Sequence, residues 1–161
     1  MIAVKMTPTT RRLVQGLLLV ACVLAGQSAR AQFSSVPTPQ CKAPTPSDHS
    51  VEQEFRVDAA RHLYACYPMR VYRGKMPPML YSVMMVETVL DAGGQVLDVN
   101  VVRKPGADEV APWIIAMVKR AAPYPAPAKM AGGTVSFTET YFVDKAGLFQ
   151  THSLTEGQRT K

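Results

Sequence analysis

Between Met79 and Arg103 the chain reads MLYSVMMVETVL-DAGG-QVLDVNVVR, two apolar runs with partial period-2 alternation on either side of a glycine turn. The glycines of Asp91-Ala92-Gly93-Gly94 supply the positive φ of a tight hairpin, so the pattern predicts two antiparallel strands. In the second strand Leu97, Val99 and Val101 share one face, while Val96, Asp98, Asn100 and Val102 share the other. The Leu97 face is the expected core face. A two-stranded hairpin is marginal in water, so this one demands further strands and an apolar cover.

Two helical stripes supply the cover. Ser50 opens the first, with Gln53 at capping-box spacing, and Val51, Phe55, Ala59, Leu63 and Cys66 recur at intervals of four and three up to Tyr67-Pro68. Met69–Lys75 is expected to add a further turn. The second stripe, Val110, Trp113, Ile114, Met117, Val118 and Ala121, predicts a helix from Asp108 to the region of Ala122, with Trp113 at the centre of the core. Thr134–Asp144 then alternates Val135, Phe137, Tyr141 and Val143 as a third strand, and Leu148–Leu154 follows as a short fourth.

The order α-β-β-α-β-β predicts an α+β domain over residues 50–155, a small antiparallel sheet packed by two helices. Before it, residues 32–49 carry Pro37, Pro39, Pro44 and Pro46 among polar residues and read as a flexible linker. After it, residues 156–161 read as a frayed tail.

Residues 1–31 read as an export signal: a basic start, the apolar run Leu13–Gly26, and Ala29-Arg30-Ala31 as the cleavage site. Leu19-Val20-Ala21-Cys22 also matches a lipobox, so lipidation of Cys22 is the alternative processing route and would leave the protein lipid-anchored. Either route predicts a periplasmic location. Loss of Lys5, Arg11, Arg12 and Arg30 with the leader lowers the formal charge from +6 to +2, too little to predict a nucleic-acid partner. Cys41 and Cys66 remain as a pair in an oxidising compartment, which predicts a disulfide between them.

Candidate chemistry is sparse. His49, His62 and His152 stand in the tail, the first helix and the last strand without ligand spacing, so neither a metal site nor a cofactor is expected. Glu87 and Asp98 read as solvent-face carboxylates on the hairpin. Arg70, Arg73 and Lys75 surround Tyr72 as a candidate basic contact patch. No nucleophile motif or phosphate loop is present, so the expectation is a non-enzyme without a small-molecule substrate.

Several local patterns together resemble the TonB C-terminal domain family and the related TolA C-terminal fold. They are Tyr67-Pro68 closing the first helix, the hairpin about Asp91–Gly94, Val99-Asn100-Val101-Val102 running into Pro105-Gly106, and Ile115–Ala122 followed by Pro123-Tyr124-Pro125-Ala126-Pro127 before an aromatic strand. What the resemblance implies is a periplasmic protein-binding module that recognises an extended segment of an envelope protein at a sheet edge, with Val135, Phe137, Tyr141 and Val143 on the docking strand. The short segment 32–54 departs from the long spacer of energy transducers, and the fourth strand would occupy the docking edge. A structural or dimerising role in envelope assembly, without peptide capture, is the alternative.

Overall fold

A computed structural model describes residues 32–160; the leader expected over residues 1–31, with Cys22, lies outside the described residues. Helix α1 spans Glu52–Cys66, strands β1 and β2 span Ser82–Leu90 and Val96–Arg103, and helix α2 spans Val110–Arg120. Strands β3, Val135–Val143, and β4, Phe149–Thr151, follow, with a 3-10 turn at His152–Leu154. The four strands form one antiparallel sheet in the order β2-β1-β3-β4. The architecture is therefore α+β, with two helices on one face of a four-stranded sheet, and among the described residues no helix is long and apolar enough to cross a membrane.

Helix α1 starts later than its capping-box pattern predicts. Its N-cap is Val51, whose carbonyl accepts from the N–H groups of Glu54 and Phe55, and no side chain caps the end. Glu52 and Glu54 in the first turn place negative charge against the positive end of the helix dipole. Val51 is left 51% exposed, while Phe55, Ala59, Leu63 and Cys66 are buried as the stripe requires. In α2 the whole stripe Val110, Trp113, Ile114, Met117 and Val118 is buried.

Two bulges alter the face expected for β2: Val99 and Val101 stay on the core side, Leu97 leaves it and Val96 takes its place. Val86, Thr88 and Leu90 of β1 point to the core and pair with Val101, Val99 and Val96, with register shifts after Met85 and Val89. Each shift adds one residue to β2, so Leu97 and Val102 stand outside the alternation, 58% and 57% exposed. A strict period of two cannot register an inserted residue, which is why the sequence pattern put Leu97 inside.

The flanks pack rather than hang free. Phe33 is 6% exposed, stacked on Tyr81 at 5.6 Å and edge-on to Trp113 at 5.2 Å between ring centroids. Gln40 N–H donates to Cys66 O, Ser47 N–H to Ala126 O, and the Cys41–Cys66 disulfide closes the strap. Residues 32–49 are thus a tethered cover over the helical layer and not a flexible linker. The expected frayed tail is also tied down, because Met76 N–H donates to Gly157 O and Arg159 N–H to Met76 O. Met69–Lys75 forms no further helical turn; Val71 bridges to Phe149.

Candidate functional site

The sheet has two outer strands, β2 and β4, and they are finished differently. Strand β4 is covered on its far side, since Phe149 N–H donates to Arg70 O at 2.8 Å and Tyr72 N–H donates to Phe149 O at 2.9 Å. Its buried Gln150 donates from Nε2 to the carbonyls of Tyr72 and Gly74, closing that side further. Yet β4 is short and pairs only with Tyr141, Phe142 and Val143.

The first two thirds of β3, from Val135 to Thr140, therefore has no strand on the side away from β1 among the described residues. A row of outward backbone groups in this position is a template for an added strand. One side chain lies across it: Arg56 of α1 donates from Nη1 to Thr138 O at 3.1 Å. In an extended strand the N–H and C=O of one residue point the same way, so Thr138 N–H faces outward as well.

Glu139 closes the far end of this open stretch. It is 3% exposed, and its Oε1 accepts from Thr140 N–H at 2.9 Å and from Ser153 N–H at 3.3 Å. Its Oε2 and the Nε of Arg56 are buried without a hydrogen-bond partner among the described residues. Burial raises the Glu139 carboxyl above its ordinary range, against the lowering effects of Ser153, the Thr140 amide and the Arg56 charge. A buried carboxylate oxygen without a partner is costly, of the order of 1–3 kcal/mol, and an arriving donor would relieve that cost.

The four residues expected to contact a partner turn inward. Val135, Phe137, Tyr141 and Val143 are between 0% and 5% exposed, with Phe137 packed edge-on to Phe55 at 5.7 Å. Strand alternation puts them on the helix face, so their side chains hold β3 in place, and what β3 offers outward is backbone together with Ser136, Thr138 and Thr140. Nothing in the sequence marked Arg56 or Glu139, because a lone Arg on a helix and a lone Glu in a strand both read as solvated charges.

The basic patch is split. Arg70 is half-buried, with its guanidinium 6.0 Å from the Trp113 ring centroid and its backbone paired to β4, whereas Arg73 and Lys75 are exposed. Glu87 and Asp98 form no acid pair: Glu87 accepts from Ser136 Oγ at 2.8 Å, and Asp98 accepts from the Val99 amide at 2.8 Å.

The disulfide joins Cys41 to Cys66 across 25 residues, as the cysteine count predicts. Beside it the structure places His62, one helical turn before Cys66, with Nε2 3.4 Å from Cys66 Sγ. No family model, curated protein or solved structure matches the chain.

Proposed function

We propose that this protein is a periplasmic binding module that adds an extended segment of an envelope protein to the outer edge of β3 at Ser136–Thr138, in the manner that resemblance to the TonB C-terminal domain implies. The observation that carries the reading is the shortness of β4. It satisfies three residues of β3 and stops, leaving the adjoining backbone edge to two side chains, Arg56 at Thr138 O and Glu139 at Thr140 N–H.

Main-chain pairing at such an edge gives affinity, and neighbouring side chains give selection. Arg56 has to leave Thr138 O for a strand to enter, so its hydrogen bond competes with the incoming chain. Glu139 Oε2 can take an N–H or hydroxyl donor at the end of the added strand. No nucleophile, cofactor or metal is used in this reading.

A second reading rests on the opposite edge. Among the described residues strand β2 has no strand on its outer side, and its exposed Leu97, Val101 and Val102 offer apolar side chains suited to a second copy of the chain in a dimerising assembly role.

Site-specific photo-crosslinking separates the two. A photoreactive residue at Ser136 or Thr138 is expected to give adducts with a different envelope protein, mapped by mass spectrometry to an extended segment. Self-adducts from Leu97, with none from Ser136 or Thr138, would favour the assembly role instead.

A further inference from the structure

Cys41, His62 and Cys66 hold three donor atoms, two sulfurs and an imidazole nitrogen, within 4.8 Å of one another. We propose that reduction of the Cys41–Cys66 bond turns this cluster into a three-ligand site for a thiophilic d10 cation, with Zn²⁺ as the representative ion. The inference is independent of the β3 edge, which rests on Arg56, Thr138 and Glu139.

The donor set suits the ion. Zinc takes thiolate and imidazole ligands at about 2.3 Å and about 2.0–2.1 Å, and three protein ligands leave a fourth position open. His62 and Cys66 stand four residues apart, so one face of α1 presents both, and the ring has to turn Nε2 away from Ala121 O to reach the metal. Cys41 is the ligand that moves. Tetrahedral zinc sets its sulfurs roughly 3.8 Å apart, so two sulfurs freed from a covalent bond have to part. Cys41 lies in the strap and in no helix or strand, and its neighbour Gln40 is held to Cys66 by one backbone hydrogen bond of 2.8 Å.

The surroundings favour a cation. Cys66 is the last residue of α1 and Ala121 is the C-cap of α2, so the negative ends of two helix dipoles converge here. The Ala121 carbonyl oxygen lies 2.7 Å from His62 Nε2 and 3.8 Å from Cys41 Sγ. That oxygen can only accept, so His62 presents an N–H to it in the disulfide form; to ligate through Nε2 the ring must carry its proton on Nδ1. The same negative potential opposes free thiolates, and a bound dication offsets it. His62 also lines a cleft of about 300 Å³ together with Asp58, Arg61, Pro44, Pro46 and Pro125.

The chemistry balances with a dithiol as reductant. The dithiol breaks the S–S bond, gives two electrons and two protons to the two cysteine sulfurs, and leaves as its own cyclic disulfide. Zn²⁺ then forms two S–Zn bonds and one N–Zn bond, and the two thiol protons pass to water.

The test uses the purified protein, reduced anaerobically with a small dithiol that is removed before Co²⁺ is added as a spectroscopic stand-in for zinc. One equivalent of Co²⁺ is expected to produce thiolate-to-cobalt charge-transfer absorption and the visible bands of a tetrahedral ion, both discharged by one equivalent of Zn²⁺. The oxidised protein should show neither. His62→Gln retains a donor for the Ala121 carbonyl and is expected to weaken affinity by at least the roughly 10–100-fold that even an outer-shell loss costs. Circular dichroism of each reduced sample, with and without metal, tracks the fold. Absence of the charge-transfer band in the reduced native protein would overturn the proposal, as would His62→Gln binding Co²⁺ as tightly as the native chain or a reduced protein that unfolds and is not restored by metal.

Discussion

Arg56 Nη1 sits 3.1 Å from the carbonyl oxygen of Thr138, and this hydrogen bond is the one side-chain contact that α1 makes to the outward backbone of β3 among the described residues. It competes directly with strand addition. Arg56→Ala should therefore raise the affinity for a captured segment by roughly 2–10-fold, the equivalent of removing one net hydrogen bond of about 0.5–1.5 kcal/mol from the unbound state. Binding isotherms on the crosslinked segment, synthesised as a peptide, would show it. A weaker complex would mean that Arg56 is itself a contact and not a plug.

Glu139 gives the edge a pH dependence. Its pKa is raised in the folded protein by burial, so between its ordinary value and the raised one the native state binds more protons than the unfolded state. Stability is then greatest below the ordinary carboxylate range and falls as pH rises through the raised value. Arg56, Tyr64, Tyr141 and Ser153 all face the carboxyl, and none of the tyrosines is ionised in that window. Glu139→Gln should flatten the decline, leaving the variant equal to the parent at acid pH and more stable above the window. Urea midpoints measured across pH test this; parallel curves for the two proteins would remove Glu139 as the source.

Gly94 fixes the segment after α2 to the hairpin. Its φ is +80°, a Cβ there would lie 2.0 Å from Tyr124 O, and Tyr124 N–H donates to Gly94 O at 2.8 Å. Gly94→Ala has to adopt a left-handed backbone, which costs about 1–2 kcal/mol, and also part the two chains. A stability loss of at least about 2 kcal/mol by denaturant unfolding is expected on these two grounds. An unchanged midpoint would show that the Tyr124 segment is not held there.

Much of this arrangement was legible in the sequence wherever one period ran undisturbed. The stripe Val110, Trp113, Ile114, Met117 and Val118 placed α2, and the alternation of Val135, Phe137, Tyr141 and Val143 placed β3, although those four were expected to meet a partner and instead face the core. Periodicity failed where a residue was inserted, at Leu97, because a bulge leaves no mark in composition. It failed for the strap too: proline content argues against secondary structure, but Phe33 needs none in order to pack on Trp113. The open edge was unreadable for a related reason, since it depends on β4 stopping after Thr151, and the residues Leu148–Leu154 alternate well enough to suggest a longer strand. The Cys41–His62–Cys66 cluster was hidden because one ligand comes from a strap with no period, although the spacing of His62 and Cys66 already put those two on one helical face.

Deleting the chain from Lys145 onward would be a poor way to open the edge, because Phe149 is fully buried against Trp113, Tyr64 and Tyr141. A single substitution does better. Thr138→Pro removes the outward N–H that an added strand must use, and proline is tolerated at an edge where that N–H pairs with nothing inside the sheet. The measurement is photo-crosslinking from Ser136 in the Thr138→Pro protein, with Trp113 fluorescence confirming the fold. Edge recognition predicts that the native-like unfolding transition persists and the heterologous adduct disappears. An adduct formed as efficiently as in the parent chain would contradict strand addition at β3.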